Sequence, residues 1–231
     1  MLHFNELAVR DYKDHKDYYF SDTVNEAFPG VKNWFSNFAK SDVPIFYRDQ
    51  ETRYVEVAYQ AAKNPDVIVS CDVSKFNVRY TFIHRTWLEV CFTIESPSLT
   101  KRLGGSKGII KPRDDWDYVK LAAMDYFLRQ KWSSDTLSFG RLLDAYKKSN
   151  NTIVEWNNWN DNVWGIPIIS KKESVIPYQG RNALGLLLSL ICQEADQFGD
   201  IDSGYKEANW IKGQETLIAS LNNITDGGIK L

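Results

Sequence analysis

A polar spacing of three, four and seven runs through Glu56-Val57-Ala58-Tyr59-Gln60-Ala61-Ala62-Lys63. A helix over these residues puts Glu56, Tyr59, Gln60 and Lys63 on one face. An ordinary amphipathic helix turns such a face to water, so the spacing alone fits a wet surface as well as a ligand site. Upstream, Tyr18-Tyr19-Phe20 reads as a first strand, Phe28-Pro29-Gly30 as a turn, and Pro44-Ile45-Phe46-Tyr47 as a strand entering a turn over 49–52. The β-rich, aromatic stretch 66–93 reads as an inserted hairpin or helix-strand excursion. Ser96-Pro97 supplies a capping residue and a first-turn proline for a short helix that ends at Gly104-Gly105. Trp116, Val119, Ala123 and Phe127 recur at helical spacing and predict a helix over 115–131, followed by another over 135–146 and a strand over 153–156. The run from Ala183 to Ile191 is too apolar for a surface helix, and Asn182 is its natural N-cap. An amphipathic helix over 205–221 is the last element.

The 231 residues suffice for a sizeable core, and a single domain over 18–231 behind a charged lead-in at 1–17 is the expected organisation. The formal net charge of -2 gives no global attraction to nucleic acid or membrane. Eight Trp, twelve Tyr and twelve Phe exceed what a minimal core requires, which predicts that some of them line a cleft. Cys71, Cys91 and Cys192 are far apart and in no C-x-x-C spacing, so neither a disulfide framework nor a zinc site is expected. With no apolar run of membrane-span length and no basic-then-apolar start, the expected location is cytoplasmic, away from membranes.

Several motifs fail on inspection. Gly104-Gly105-Ser106-Lys107-Gly108 lacks the spacing of a phosphate loop. His3, His15 and His84 are isolated, so no metal site is expected, and no triad signature appears. The basic run Lys101, Arg102, Lys107, Lys111, Arg113 has no acidic residue within it. Such a run is either a solvated face or a meeting place for phosphate beside Trp116.

Phe35-Ser36-Asn37-Phe38, the Glu56 helix, Lys111-Pro112 ahead of Trp116 and Lys120, Leu142-Leu143, Asp161-Asn162-Val163-Trp164-Gly165 and Gly180-Arg181-Asn182-Ala183-Leu184-Gly185 occur in an order that resembles the NADAR (YbiA-like) superfamily of N-glycosidases. The resemblance runs from about Tyr19 to Cys192. It implies a compact α+β fold, mostly helical, with a few short strands. It also implies hydrolysis of a ribosyl C1–N bond without a cofactor. The implied substrate is a small phosphoribosylated riboflavin-pathway intermediate, or ADP-ribosyl-guanine in nucleic acid. Glu56 matches the family's catalytic glutamate, Asp161 its active-site aspartate and Trp116 its pocket tryptophan. Asn37, Phe38, Tyr59, Gln60 and Trp164 join them as substrate contacts, Lys63, Lys107 and Arg181 as phosphate contacts, and Asn182 as a contact or a helix cap.

Two departures concern the substrate. Gly104-Gly105 stands where the family commonly has Gly-Arg, and residues 166–179 form a longer loop carrying Lys171 and Lys172. The expected chemistry places Glu56 against positive charge developing on the ribosyl carbon, Asp161 at the ribose hydroxyls or the attacking water, and Trp116 with Trp164 on the leaving base. A non-catalytic ADP-ribose or nucleotide-binding module is the alternative.

Overall fold

A computed structural model describes residues 18–20, 25–29, 34–74, 80–133, 136–148, 153–157, 161, 163–167, 169–171, 174–176 and 181–224. Seven α-helices and strands of two to six residues lie among them, an α+β architecture that is mostly helical, as the resemblance implies. The lead-in at 1–17 lies outside the described residues. The chain forms two compact units, each assembled from separated segments.

One unit comprises Asn37–Lys131 and Ser203–Gln214. Its elements begin with the hairpin β3 (Ile45–Tyr47) and β4 (Gln50–Thr52), so the expected turn over 49–52 is partly strand. The turn itself is tighter, with Arg48 at φ 47°. Helix α1 (Val55–Ala62) follows and is buried along its whole length. Helices α2 (Trp87–Ile94), α3 (Pro97–Leu103) and α4 (Lys120–Lys131) all pack against it. The indole of Trp87 is fully buried, and its Nε1 donates to the backbone carbonyl of Gln60 at 2.7 Å.

The described residues of 66–93 hold a hairpin, β5 (Ile68–Asp72) with β6 (Thr81–Thr86), that leads into the core helix α2. A capping box starts α2: Thr86 Oγ1 accepts from the Glu89 N–H, and Glu89 Oε2 accepts from the Thr86 N–H. Trp116–Tyr118 forms a 3-10 turn, and α4 begins only at Lys120, later than the spacing predicts. Tyr47, Phe127 and Trp210 at the start of α7 (Trp210–Ile224) form an aromatic cluster in which Tyr47 stacks on Trp210 at 6.0 Å.

The other unit comprises Met1–Ser36, Trp132–Asp202 and Glu215–Leu231. Its sheet has the order β1 (Tyr18–Phe20), β2 (Asn25–Pro29), β7 (Ile153–Asn157), β8 (Ile166–Pro167), with β1 antiparallel to β2 and the other pairs parallel. Phe28 and Pro29 belong to β2 instead of a turn: they pair with Glu155 and Trp156, and the proline sits at the strand end where a missing N–H costs least. A hairpin, β9 (Ile169–Lys171) with β10 (Ser174–Ile176), occupies part of the long loop. Helix α6 (Ala183–Phe198) packs on β7 and on α5 (Leu137–Lys148), burying every residue from Ala183 to Cys192 as its composition predicts.

Candidate functional site

Glu56 lies in the first turn of α1 and is only 2% exposed. Two side-chain amides converge on it: Asn37 Nδ2 donates to Oε2 at 2.5 Å, and Gln60 Nε2, one turn along the helix, donates to Oε1 at 2.7 Å. The Glu56 N–H also donates to the Asn37 carbonyl at 3.0 Å, so loop and helix are joined at backbone and side chain. N–H donors on both oxygens suit an anion and fix the plane of the carboxylate. Orienting Nε2 towards Glu56 leaves Gln60 Oε1 buried without a hydrogen-bond partner. That oxygen faces Gly104, where a Cβ would come within 2.5 Å of it and 3.1 Å of the Trp87 ring. The glycine that ends α3 thus gives Gln60 room to serve Glu56.

Lys63 closes the same face by donating to the Gly104 carbonyl at 2.9 Å. Burial lowers its pKa below the usual lysine value, while the Glu56 charge acts to raise it. The polar face of α1 is therefore buried, and the wet-surface reading of its spacing does not hold. Beside Asn37, the half-buried Phe38 carries the Lys101 ammonium over its ring at 5.0 Å.

Tyr59 meets Trp116 with ring centroids 5.1 Å apart and planes tilted by 52°. Trp116 is itself buried. The basic run divides by charge partner. Lys111 is paired with Asp114 at 2.8 Å, and Arg113 with Asp115 at 2.5 Å and Glu207 at 3.3 Å. Lys107 is exposed on the turn after α3.

Asp161 belongs to the other unit and has a different set of partners. Its Oδ1 accepts from the backbone N–H groups of Val163 and Trp164 at 3.1 and 3.0 Å, so the carboxylate organises its own turn. Asn157, at the end of β7, grips Asp161 from both sides: Asn157 Oδ1 accepts from its N–H at 2.9 Å, and Asn157 Nδ2 donates to its carbonyl at 2.7 Å. The carbonyls of Val163 and Trp164 then accept from the N–H groups of Ala183 and Leu184. Gly165 completes the run because a Cβ there would sit 2.9 Å from Asn157 Nδ2 and from the Glu155 carbonyl. Trp164 is half-buried.

Asn182 departs from its expected role. It precedes α6 as predicted, but with φ 51° and no side-chain cap bond. Its amide bridges to β7 instead, Oδ1 accepting from the Glu155 N–H at 2.8 Å and Nδ2 donating to the Ile153 carbonyl at 2.8 Å. With 0% exposure and both amide ends engaged, it clips strand to helix. Two N–H groups of the α6 N-terminus, those of Ala183 and Leu184, are occupied by the Val163 and Trp164 carbonyls. Arg181 beside it is exposed.

The chain is similar to the E. coli protein YbiA. The match to the NMR structure of YbiA has 23% identity, covers 74% of this chain and 84% of that one, and has a TM-score of 0.49. At that level of similarity YbiA carries nothing about substrate or chemistry. No family model and no curated protein matches the chain.

The structure places Asn37, Glu56, Tyr59, Gln60, Lys63 and Trp116 in one unit, three of them on α1 and Lys63 directly after it. Sequence reasoning missed Asn157, whose spacing of four from Asp161 has no recognised motif, and Glu155, a buried carboxylate on β7. It also missed the pairing of Lys111 and Arg113, which Asp114 and Asp115 next to them signal. Among the described residues no group of three or more His, Cys, Asp or Glu could hold a metal ion, and no helix is long and apolar enough to cross a membrane.

Proposed function

We propose that the protein is an N-glycosidase hydrolysing the ribosyl C1–N bond of a phosphoribosylated or ADP-ribosylated substrate. The observation that carries this reading is the buried Glu56 carboxylate held in a fixed plane by Asn37 and Gln60. As the C1–N bond breaks, its electron pair leaves with the base and positive charge grows on C1 and the ring oxygen. A preoriented anion stabilises that charge without reorganising, and it does so most strongly where water is excluded. Water then forms the new C1–O bond, and its proton passes to solvent or to the departed base. Trp116, against Tyr59, supplies an aromatic face for the base. Lys63 and Lys107 are the phosphate candidates on this unit.

A second reading, a nucleotide-binding module without turnover, is favoured by the near-complete burial of Glu56. One experiment separates the two. Purified protein is offered a phosphoribosylamino-pyrimidine and an ADP-ribosylated guanine oligonucleotide side by side, with E56Q as control. Release of free base by the wild-type protein and not by E56Q is the expected result. Saturable binding with both ligands recovered intact supports the module.

A further inference from the structure

We infer that Arg113 and Glu207 are positioning residues that fix the Trp116 indole, and with it the stacking face of the candidate site; this rests on the reading of Trp116 given above. The segment 111–115 has no regular structure of its own and runs directly into the 3-10 turn that begins at Trp116. Three backbone contacts define its path. Asn64 Nδ2 donates to the Lys111 carbonyl at 2.9 Å, the Arg113 N–H to the Lys63 carbonyl at 2.7 Å, and the Trp116 N–H to the Arg113 carbonyl at 3.0 Å.

The Arg113 side chain then ties the segment to a distant anchor. Its Nε and Nη2 form a fork on Asp115 at 2.5 and 3.0 Å, and its Nη1 reaches Glu207 Oε1 at 3.3 Å. That oxygen also accepts from Tyr47 Oη at 3.0 Å and Arg48 Nη2 at 3.1 Å, while Glu207 Oε2 accepts from Arg48 Nε at 3.1 Å. Arg48 Nη1 continues the chain of charges to Asp66. Glu207 is thus held by residues 94, 159 and 160 positions away, one of which is stacked on Trp210.

Each ion pair is partly exposed and contributes little to stability alone. A planar guanidinium held at three nitrogens nevertheless has a defined orientation, and only Asp114 and Asp115 separate it from Trp116. The geometry spends Arg113 on placing the indole, which removes it from the cations open to phosphate.

The test labels the full chain with 5-fluorotryptophan and assigns the Trp116 resonance by its loss in W116F. In R113A and E207A that resonance is expected to shift or broaden while those of the buried Trp87 and Trp132 stay in place. R113K, which keeps charge but not the fork, should behave like R113A and serves if the alanine variant folds poorly. Turnover of the ribosylated substrate should show KM raised by about tenfold with kcat held within about twofold, the pattern of lost uniform binding. An unmoved Trp116 resonance in both alanine variants overturns the inference, as does a shift of Trp87 and Trp132 along with it. If the resonance moves but W116F itself leaves substrate turnover unchanged, the reading of the site fails and the placement of the indole by Arg113 and Glu207 stands.

Discussion

Glu56 and Asp161 are both carboxylates in short recognisable motifs, yet their surroundings use them in opposite ways. Around Glu56, side chains from a loop and a helix turn donate inward, the Asn37 and Gln60 amides each to one of its oxygens. Around Asp161 the carboxylate serves the backbone, accepting from two N–H groups of its own turn while Asn157 holds the residue's N–H and carbonyl. One carboxylate is placed by its neighbours; the other places them. A motif match cannot tell these apart, because both uses need the same residue type at the same position.

The largest expected effect follows from the charge of Glu56. Replacing it with Gln keeps volume and removes the anion, so turnover should fall by about 10²-fold or more. Near-normal turnover by folded E56Q would break the comparison on the Glu56 side, leaving that residue as a structural acceptor like Asp161.

The Glu56 unit also buries other charge. Lys131, at the end of α4 and 4% exposed, is pushed by burial down to about 7, with Asp42 acting to raise it. The unfolded chain keeps this proton up to the ordinary value of 10.5, so between about 7 and 10.5 it binds more protons than the folded chain, and stability rises with pH. The slope for one such group is at most about 1.4 kcal/mol per pH unit. Cys91 acts the other way: burial holds its thiol well above 9.0, so the unfolded thiol ionises first and stability falls above that pH. Urea midpoints should therefore climb from pH 7 to about 9 and then level or drop, and K131M should flatten the climb and stabilise the protein at pH 7. An unchanged climb in K131M would remove Lys131 from the explanation.

Gly104 offers a smaller and more local test. Its missing side chain gives Gln60 Oε1 its place, so G104A should cost about 1–3 kcal/mol through crowding against Gln60 and Trp87. Turnover should fall with it, because a displaced Gln60 no longer orients Glu56. Calorimetry and kinetics on the same preparation check both, and full activity in G104A would separate Gln60 from the Glu56 carboxylate.

Two helices, those carrying Glu56 and the Ala183 run, were legible in the sequence because burial follows period. The Ala183 run and the Glu56 face both appear where spacing puts them. Phe28-Pro29 was misread because turn chemistry there competes with a parallel pairing to β7, whose residues lie more than a hundred positions away. The start of α4 was misjudged because Trp116 keeps helical spacing through a 3-10 turn. The box Thr86-Trp87-Leu88-Glu89 was readable and marks α2 as a helix start. Within the site, residue types were legible and partners were not: nothing local in the sequence says that Asn182 spends its amide on β7 or that Glu207 reaches Arg113.

The smallest expected effect decides what kind of residue Asp161 is. Asp161→Ala strips the acceptor from the Val163 and Trp164 N–H groups and should cost about 1 kcal/mol, the scale of a lost capping bond. Asp161→Asn keeps an acceptor at Oδ1 and should hold most of that stability in urea. If the turn is all that Asp161 provides, the Asn variant also keeps its turnover. If its charge acts on the substrate, the Asn variant loses turnover while remaining as stable as wild type. Equal destabilisation in both variants would show that the turn needs the negative charge itself, and Asp161 would then resemble Glu56 in being selected for its charge.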